Sequence, residues 1–245
     1  MPRGNLRKRY ASFLELELMF AGMGEQHLSP TERGDRKNYR HPARLKSWTW
    51  GRVLSKQIIL ESLAEPNLVL CEITICSRDE RGRGCSPHVV LNGESLTGCL
   101  SISHTERGVM VAWLPGVSGG IGVDLVDQNS NVFSSEAMRP WFTPAEQQEL
   151  ETKENAQSLK YWAAKEAAFK ACQQEGETFI PKSIEISQQS GNCFSARYFI
   201  NNDVRHCQVE VREQDGHYSA LAVTEHLSEL QKNSTNQNLR HSVTI

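Results

Sequence analysis

The stretch Trp162-Ala163-Ala164-Lys165-Glu166-Ala167-Ala168-Phe169-Lys170 reads as a helix, because four alanines and no glycine or proline give it strong intrinsic preference for that state. At 1.5 Å rise per residue, Trp162, Glu166 and Lys170 fall at i, i+4 and i+8, so an aromatic, an acid and a base share one face within about 12 Å. A Glu and a Lys four apart are ordinarily a solvated pair worth about 0.3–0.5 kcal/mol. Upstream, Gly120-Ile121-Gly122-Val123-Asp124 reads as an apolar strand interrupted by an acid, which is costly unless something compensates it. Two carboxylates about 4 Å apart repel by roughly 4 kcal/mol at an effective dielectric of 20. A site shared by Asp124 and Glu166 therefore calls for a cation, and Lys170 adds a fixed positive charge beside it. The combination points to a pocket for a metal-bound pyrophosphate.

Working outward, Thr143-Pro144-Ala145-Glu146 fits a capping box with proline at the first helical position, giving a short helix through Glu151 before the alanine-rich helix over Leu159 to Gln173. Ser183 to Ile186, Cys193 to Ile200, Cys207 to Glu213 and Tyr218 to Thr224 read as antiparallel strands, with turns at Ser190-Gly191-Asn192 and Asp215-Gly216. On the N-terminal side, Ser29-Pro30-Thr31-Glu32 resembles a helix start. A second helix over about Ala43 to Leu63 buries Leu45, Trp48, Val53, Leu54, Ile58 and Ile59, and His41-Pro42 separates the two. Residues 67 to 76 alternate as a strand does, Asp79 to Pro87 is a glycine- and arginine-rich loop, and strands follow at Cys99 to Ser103, Gly108 to Leu114 and Ile121 to Val126.

The expected organisation is α+β, in two lobes that each combine helices with a small antiparallel sheet. Residues 1–24 are a variable leader whose second half, Phe13 to Phe20, partly alternates as a strand does. An N-terminal lobe spans 25–118, a C-terminal lobe 119–228, and 229–245 is a disordered polar tail. The boundary lies in the Gly/Ser linker from Pro115 to Gly120.

With 245 residues and 38% hydrophobic content the chain can bury a real core, and 27 basic against 29 acidic residues leave a net charge of −2. No whole-molecule field draws nucleic acid, so any anion site is local. Arg3, Arg7, Lys8 and Arg9 precede an apolar run as in a signal peptide, but Glu15 and Glu17 interrupt it, and it is too short and charged to span a membrane. Seven cysteines without a CxxC pair fit a reduced, cytoplasmic chain; a zinc site from Cys71, Cys76, Cys85 and His88 is conceivable, with small buried thiols the favoured reading.

The remaining chemistry-bearing element is Leu100-Ser101-Ile102-Ser103-His104, a strand ending in a hydroxyl and an imidazole, two donors for a phosphate. Ser-Ile-Ser-His at 101–104, Ile-Gly-Val-Asp at 121–124 and the nine residues at 162–170 resemble, in order and spacing, the three signature motifs of the 4′-phosphopantetheinyl transferase superfamily. The chain resembles the longer, two-lobed type that activates peptide and polyketide synthetases, and the likeness runs from about residue 28 to 225.

The resemblance implies a pseudo-twofold α+β fold with coenzyme A in the cleft between two similar lobes. It implies Mg2+ as cofactor, held on the coenzyme A pyrophosphate by Asp124 and Glu166. It also implies transfer of 4′-phosphopantetheine to a serine of an acyl or peptidyl carrier protein, with release of 3′,5′-ADP. Glu166, Lys170 and Lys165 are the catalytic candidates. Ser103, His104, Arg44, Lys46, Arg52 and Lys170 are the coenzyme A candidates, with Arg33 and Arg40 on the same basic stretch as further options. No nucleic acid or membrane is implied as a partner, and a monomer suffices. One departure is Val126, where many two-lobed members carry a second acid; Asp127 is expected on the opposite face of the strand. The competing readings are a catalytically weakened carrier-binding homologue and a magnesium-dependent nucleotide hydrolase.

Overall fold

The structure, a computed structural model, describes residues 5–63, 65–79, 81–117, 120–129, 135–173, 176–200 and 203–224. The expected polar tail at 229–245 and the centre of the linker, residues 118 and 119, lie outside them.

The N-terminal half runs β1 (Arg7–Ser12), α1 (Phe13–Met19), α2 (Pro30–Arg36), α3 (Pro42–Leu63), β2 (Ile73–Arg78), β3 (Gly84–Leu91), β4 (Glu94–Leu96), β5 (Gly98–His104) and β6 (Gly108–Pro115). The C-terminal half runs β7 (Ile121–Asp127), α4 (Ser135–Met138), α5 (Pro144–Leu150), α6 (Asn155–Cys172), β8 (Ile184–Ser190), β9 (Cys193–Ile200), β10 (Asp203–Gln214) and β11 (His217–Thr224). All strand pairs are antiparallel, in sheets ordered β1-β6-β5, β2-β3-β4 and β7-β11-β10-β9-β8. The molecule is α+β, with α3 packed on the first sheet and α6 on the third.

Strand period two explains how one sheet serves two cores. Along β6, Val109, Val111 and Trp113 pack with α3, while Met110, Ala112 and Leu114 face Ile121, Val123 and Leu125 of β7. The even-numbered residues of β7 turn the other way, so Val126 joins the core around α6 and Gly122 lies against that helix. Asp124 shares their face.

The two halves also repeat a buried motif. The Glu32 carboxylate accepts from the backbone N–H of Ser29 at 2.8 Å and of Ile75 at 2.9 Å, and the fully buried Lys56 ammonium closes on it. Glu146 accepts from the N–H of Thr143 at 2.7 Å and of Ile186 at 2.7 Å, with fully buried Lys165 at 2.8 Å. Each is a capping box whose glutamate also pins the first strand after the long helix and pairs with a lysine of that helix.

Three local expectations are corrected. Phe13 to Phe20 is not a strand: Ser12 and Glu15 form a capping box, so Phe13–Met19 is a helix burying Phe13 and Leu16, and Arg7–Ser12 is the strand, paired to β6. The loop ends at Arg83 rather than Pro87. Gly84 already pairs with Arg78, and Pro87, which has no N–H to give, falls where the β2–β3 register shifts. The strand at 67–76 begins only at Ile73, after a short 3₁₀ turn over Leu70–Glu72. Among the described residues no helix is long and apolar enough to cross a membrane.

Candidate active site

Asp124 sits in the middle of β7, 6% exposed. On one side β7 pairs with β11; on the other its N–H groups need partners that no ladder supplies. Two serine hydroxyls from β5 provide them: Val123 N–H donates to Ser101 Oγ at 2.9 Å and Leu125 N–H to Ser103 Oγ at 3.2 Å. Ser103 Oγ in turn donates to Asp124 Oδ1 at 2.8 Å. The alternation in Ser101-Ile102-Ser103 is thus a pair of struts between the halves, and the Ser103 proton expected on a phosphate is committed to Asp124.

The helix reaches this strand because Gly122 lacks a side chain. A β-carbon there would lie 2.0 Å from the Ala167 carbonyl oxygen and 2.6 Å from the Ala171 nitrogen. Alanines at 167 and 171 complete the close approach, and it brings Glu166 and Lys170 beside Asp124. Gly122→Ala is expected to destabilise the fold by about 1–3 kcal/mol or more, by overpacking this crossing. Urea denaturation checks it, and an unchanged midpoint would show that the crossing tolerates a methyl group.

Lys170 Nζ donates to Asp124 Oδ1 at 2.8 Å and to the Val123 carbonyl at 3.0 Å, and lies 3.9 Å from Glu166 Oε2. Burial and the Asp124 charge outweigh Lys170 and push the Glu166 carboxyl up to about 7. The pair separated by more than forty positions in the chain therefore meets in one site, electrostatically crowded enough to want more positive charge than one lysine gives. His104, solvent-accessible at the end of β5, is held below the usual histidine range by desolvation against the cleft wall, then by the charges of Lys170 and Arg44, with Asp124 opposing.

These groups line a cleft between the halves. Its larger chamber, about 900 Å³, is bounded by Arg83, His88 and Leu100 on one side and by Phe169, Gln173 and Phe179 on the other. The smaller, about 600 Å³, holds His104, Asp124, Asp127 and Trp162; Ile102, Glu166 and Lys170 border both. Asp127, expected on the opposite face, also borders the smaller chamber, at the end of β7, with Arg107 at 3.9 Å. Val126 is buried in the core around α6.

Other expected site residues fall elsewhere. Lys165 is fully buried, bonded to Glu146, to the Pro181 carbonyl at 3.0 Å and to the Ile184 carbonyl. Successive helical residues point about 100° apart, so Glu166 facing the cleft turns its neighbour into the core. Arg52 is likewise interior, stacked 3.8 Å over Trp48, 3.8 Å from Glu32 and bonded to Ser77. Lys46 pairs with Glu17 at 2.7 Å and lies over the Phe13 ring, on the side of α3 that faces α1. Arg44 is exposed, and its charge reaches His104. Among the described residues no group of three or more His, Cys, Asp or Glu is arranged to hold a metal, so the zinc site from Cys71, Cys76, Cys85 and His88 does not form.

The larger chamber's Arg83, His88, Phe169 and Phe179 carried no assigned cleft role in the sequence, although Phe169 lies inside the nine-residue helical motif. Phe169 alone had a signal in the sequence, its place in the motif; the other three are brought to the chamber only by the fold.

Residues 120–224, which carry Asp124, Glu166 and Lys170, match the family model for the 4′-phosphopantetheinyl transferase superfamily. This segment belongs to that superfamily. The superfamily match spans less than half of the chain and leaves the N-terminal wall of the cleft outside it. Among solved structures, the chain is similar to a holo-(acyl-carrier-protein) synthase from Bacillus anthracis str. Ames in complex with CoA (3′,5′-ADP). The identity is 20% and the TM-score 0.38, over 47% of this chain and 98% of that one. No curated protein sequence matches the chain.

Proposed function

We propose that this protein transfers the 4′-phosphopantetheine group of coenzyme A to a serine hydroxyl of an acyl or peptidyl carrier protein. The single observation that carries the reading is the convergence of Asp124, Glu166 and Lys170 in one cleft, on the segment assigned to the transferase superfamily.

The serine oxygen attacks the β-phosphorus of coenzyme A, the bond to the bridging phosphoanhydride oxygen breaks, and 3′,5′-ADP leaves in line. Glu166, or a water bonded to it, takes the serine proton. Lys170, anchored on Asp124 and the Val123 carbonyl, sets an ammonium where phosphate charge collects. His104 stands at the smaller chamber to meet a further phosphate, with the charge of Arg44 reaching it. Ser103 acts by orienting Asp124.

The donor set fits Mg2+: two carboxylates crowded enough to raise one pKa are hard oxygen ligands, and magnesium commonly takes only one or two from a protein, completing its shell with water and phosphate. Asp124 and Glu166 would hold it, and it would supply charge neutralisation on the pyrophosphate.

The internal repeat of the capped glutamate and buried lysine supports a pseudo-twofold, two-lobed architecture. Since one chain supplies both cleft walls, we propose a monomer. We further propose a cytoplasmic protein that serves carriers of polyketide or nonribosomal peptide biosynthesis; a near-neutral net charge gives no whole-molecule attraction for nucleic acid, and seven cysteines without a CxxC pair fit a reducing compartment. Incubation with coenzyme A, Mg2+ and a panel of apo carriers is expected to add one phosphopantetheine to the mass of at least one carrier. Carriers that bind without gaining mass would favour a binding homologue.

A further inference from the structure

We infer that His217 is a positioning residue that reaches across from the C-terminal half to fix the turn presenting His104 to the cleft. Its kinetic consequence rests on the transferase reading; its structural one does not.

His217 opens β11, directly opposite Asp127 of β7, and is 1% exposed. It lies on the same face of β11 as Leu221, which packs in the junction between the halves. Its Nε2 is 3.0 Å from Thr105 Oγ1 and its Nδ1 3.5 Å from the Tyr10 hydroxyl of β1. Thr105 is the residue after His104. Its N–H donates to the Gly108 carbonyl at 3.0 Å and its hydroxyl accepts from Arg107 N–H at 3.2 Å, so the turn is closed on itself. The ring of His217 ties that closed turn to the opposite half.

A neutral imidazole suits the place, since one ring nitrogen donates while the other accepts: the Thr105 and Tyr10 hydroxyls can each do either, and the Asp215 backbone lies beside the ring as well. Burial holds the ring below the usual histidine range, consistent with that neutral form. A satisfied core histidine needs no more than this. What makes His217 more is where its partner leads: Thr105 borders the smaller chamber and is covalently next to the imidazole that faces it. Loss of the ring frees the turn, and with it His104, without touching Asp124, Glu166 or Lys170.

The test is a double-mutant cycle on the full chain. His217→Leu is expected to raise KM for coenzyme A, with kcat/KM falling by up to about 10²-fold, as for other small misplacements. His217→Gln, which keeps a donor and an acceptor, recovers most of that loss. In a His104→Ala background His217→Leu adds little, because the two changes act through one group. Losses that multiply, or an unchanged KM in folded His217→Leu, would overturn the inference. If His217→Leu does not fold, Thr105→Val cuts the same tie from the other end and is held to the same outcomes. Should the wild-type chain transfer nothing, the His104 imidazole resonances decide alone: displacement in His217→Leu but not in His217→Gln supports the tie, and no displacement overturns it.

Discussion

Glu166→Gln is expected to lower the transfer rate by about 10²–10⁴-fold while leaving the fold at least as stable as before. The amide keeps the size of the side chain but neither accepts a proton nor offers a charged oxygen to a cation. Stability survives because Glu166 holds nothing together: its nearest charged partner is Lys170 at 3.9 Å, whereas Lys170 is bonded to Asp124 at 2.8 Å. The sign of the pH effect follows. A carboxyl raised to about 7 from its ordinary 4.5 disfavours the folded state when ionised, so without divalent cations this group stabilises the fold as pH falls from about 7 toward 4.5. The glutamine variant should lack that component. Initial rates and thermal melting across this range check both halves of the expectation. A variant that keeps most of its rate would remove Glu166 from the chemistry.

The second large effect belongs to Lys165→Met. This lysine, next to Glu166 in sequence, is expected to cost about 3–5 kcal/mol when replaced, because Glu146 would be left as an uncompensated charge in the core. That is a large share of the roughly 5–15 kcal/mol that holds a domain together, so much of the variant should be unfolded at 37 °C. Adding Glu146→Gln should restore part of the loss, since the two residues act as a pair. Lys56→Met should behave alike through Glu32, for the geometry is the same. Urea denaturation of the three variants measures this. Lys165→Met with wild-type stability but no activity would return that residue to the catalytic group, contrary to its full burial.

The duplication extends to the site itself in inverted charge. Counting from the buried lysine, Gln57 stands where Glu166 does and Glu61 where Lys170 does; Glu61 is bonded to Arg9 of β1 at 3.0 Å, as Lys170 is to Asp124 of β7. The tie between helix and first strand is kept in both halves. Of these matched positions, only the C-terminal set has two carboxylates, the pair to which the proposed Mg2+ is assigned.

How much of this was legible follows from the physics of each signal. The helix over 155–172 and its aligned Glu166 and Lys170 were visible because helical period is a local property. The capping box at Thr143–Glu146 and the helix start at Ser29–Glu32 were visible for the same reason, being four-residue patterns. Their second task was not: pinning Ile75 and Ile186 and burying Lys56 and Lys165 depend on contacts between distant segments. Lys165, Arg52 and Lys46 all read as free cations, since sequence shows a charge but not its partner. Ser103 read as a phosphate donor because its spacing gives the strand face, and the hydrogen bond to Asp124 appears only when β5 meets β7. The strand expected at Phe13–Phe20 failed through incomplete alternation that a capping box at Ser12 overrides. His217 carried no signal at all, because an isolated histidine at a strand start is ordinarily just packing.

The most direct test is to follow 3′,5′-ADP release by the purified chain with coenzyme A and Mg2+, with and without an apo carrier that it modifies. The account predicts one 3′,5′-ADP released for each carrier converted and no release when the carrier, or its acceptor serine, is absent. Steady release without carrier, or a panel of carriers left unmodified while the cleft binds coenzyme A, would contradict it.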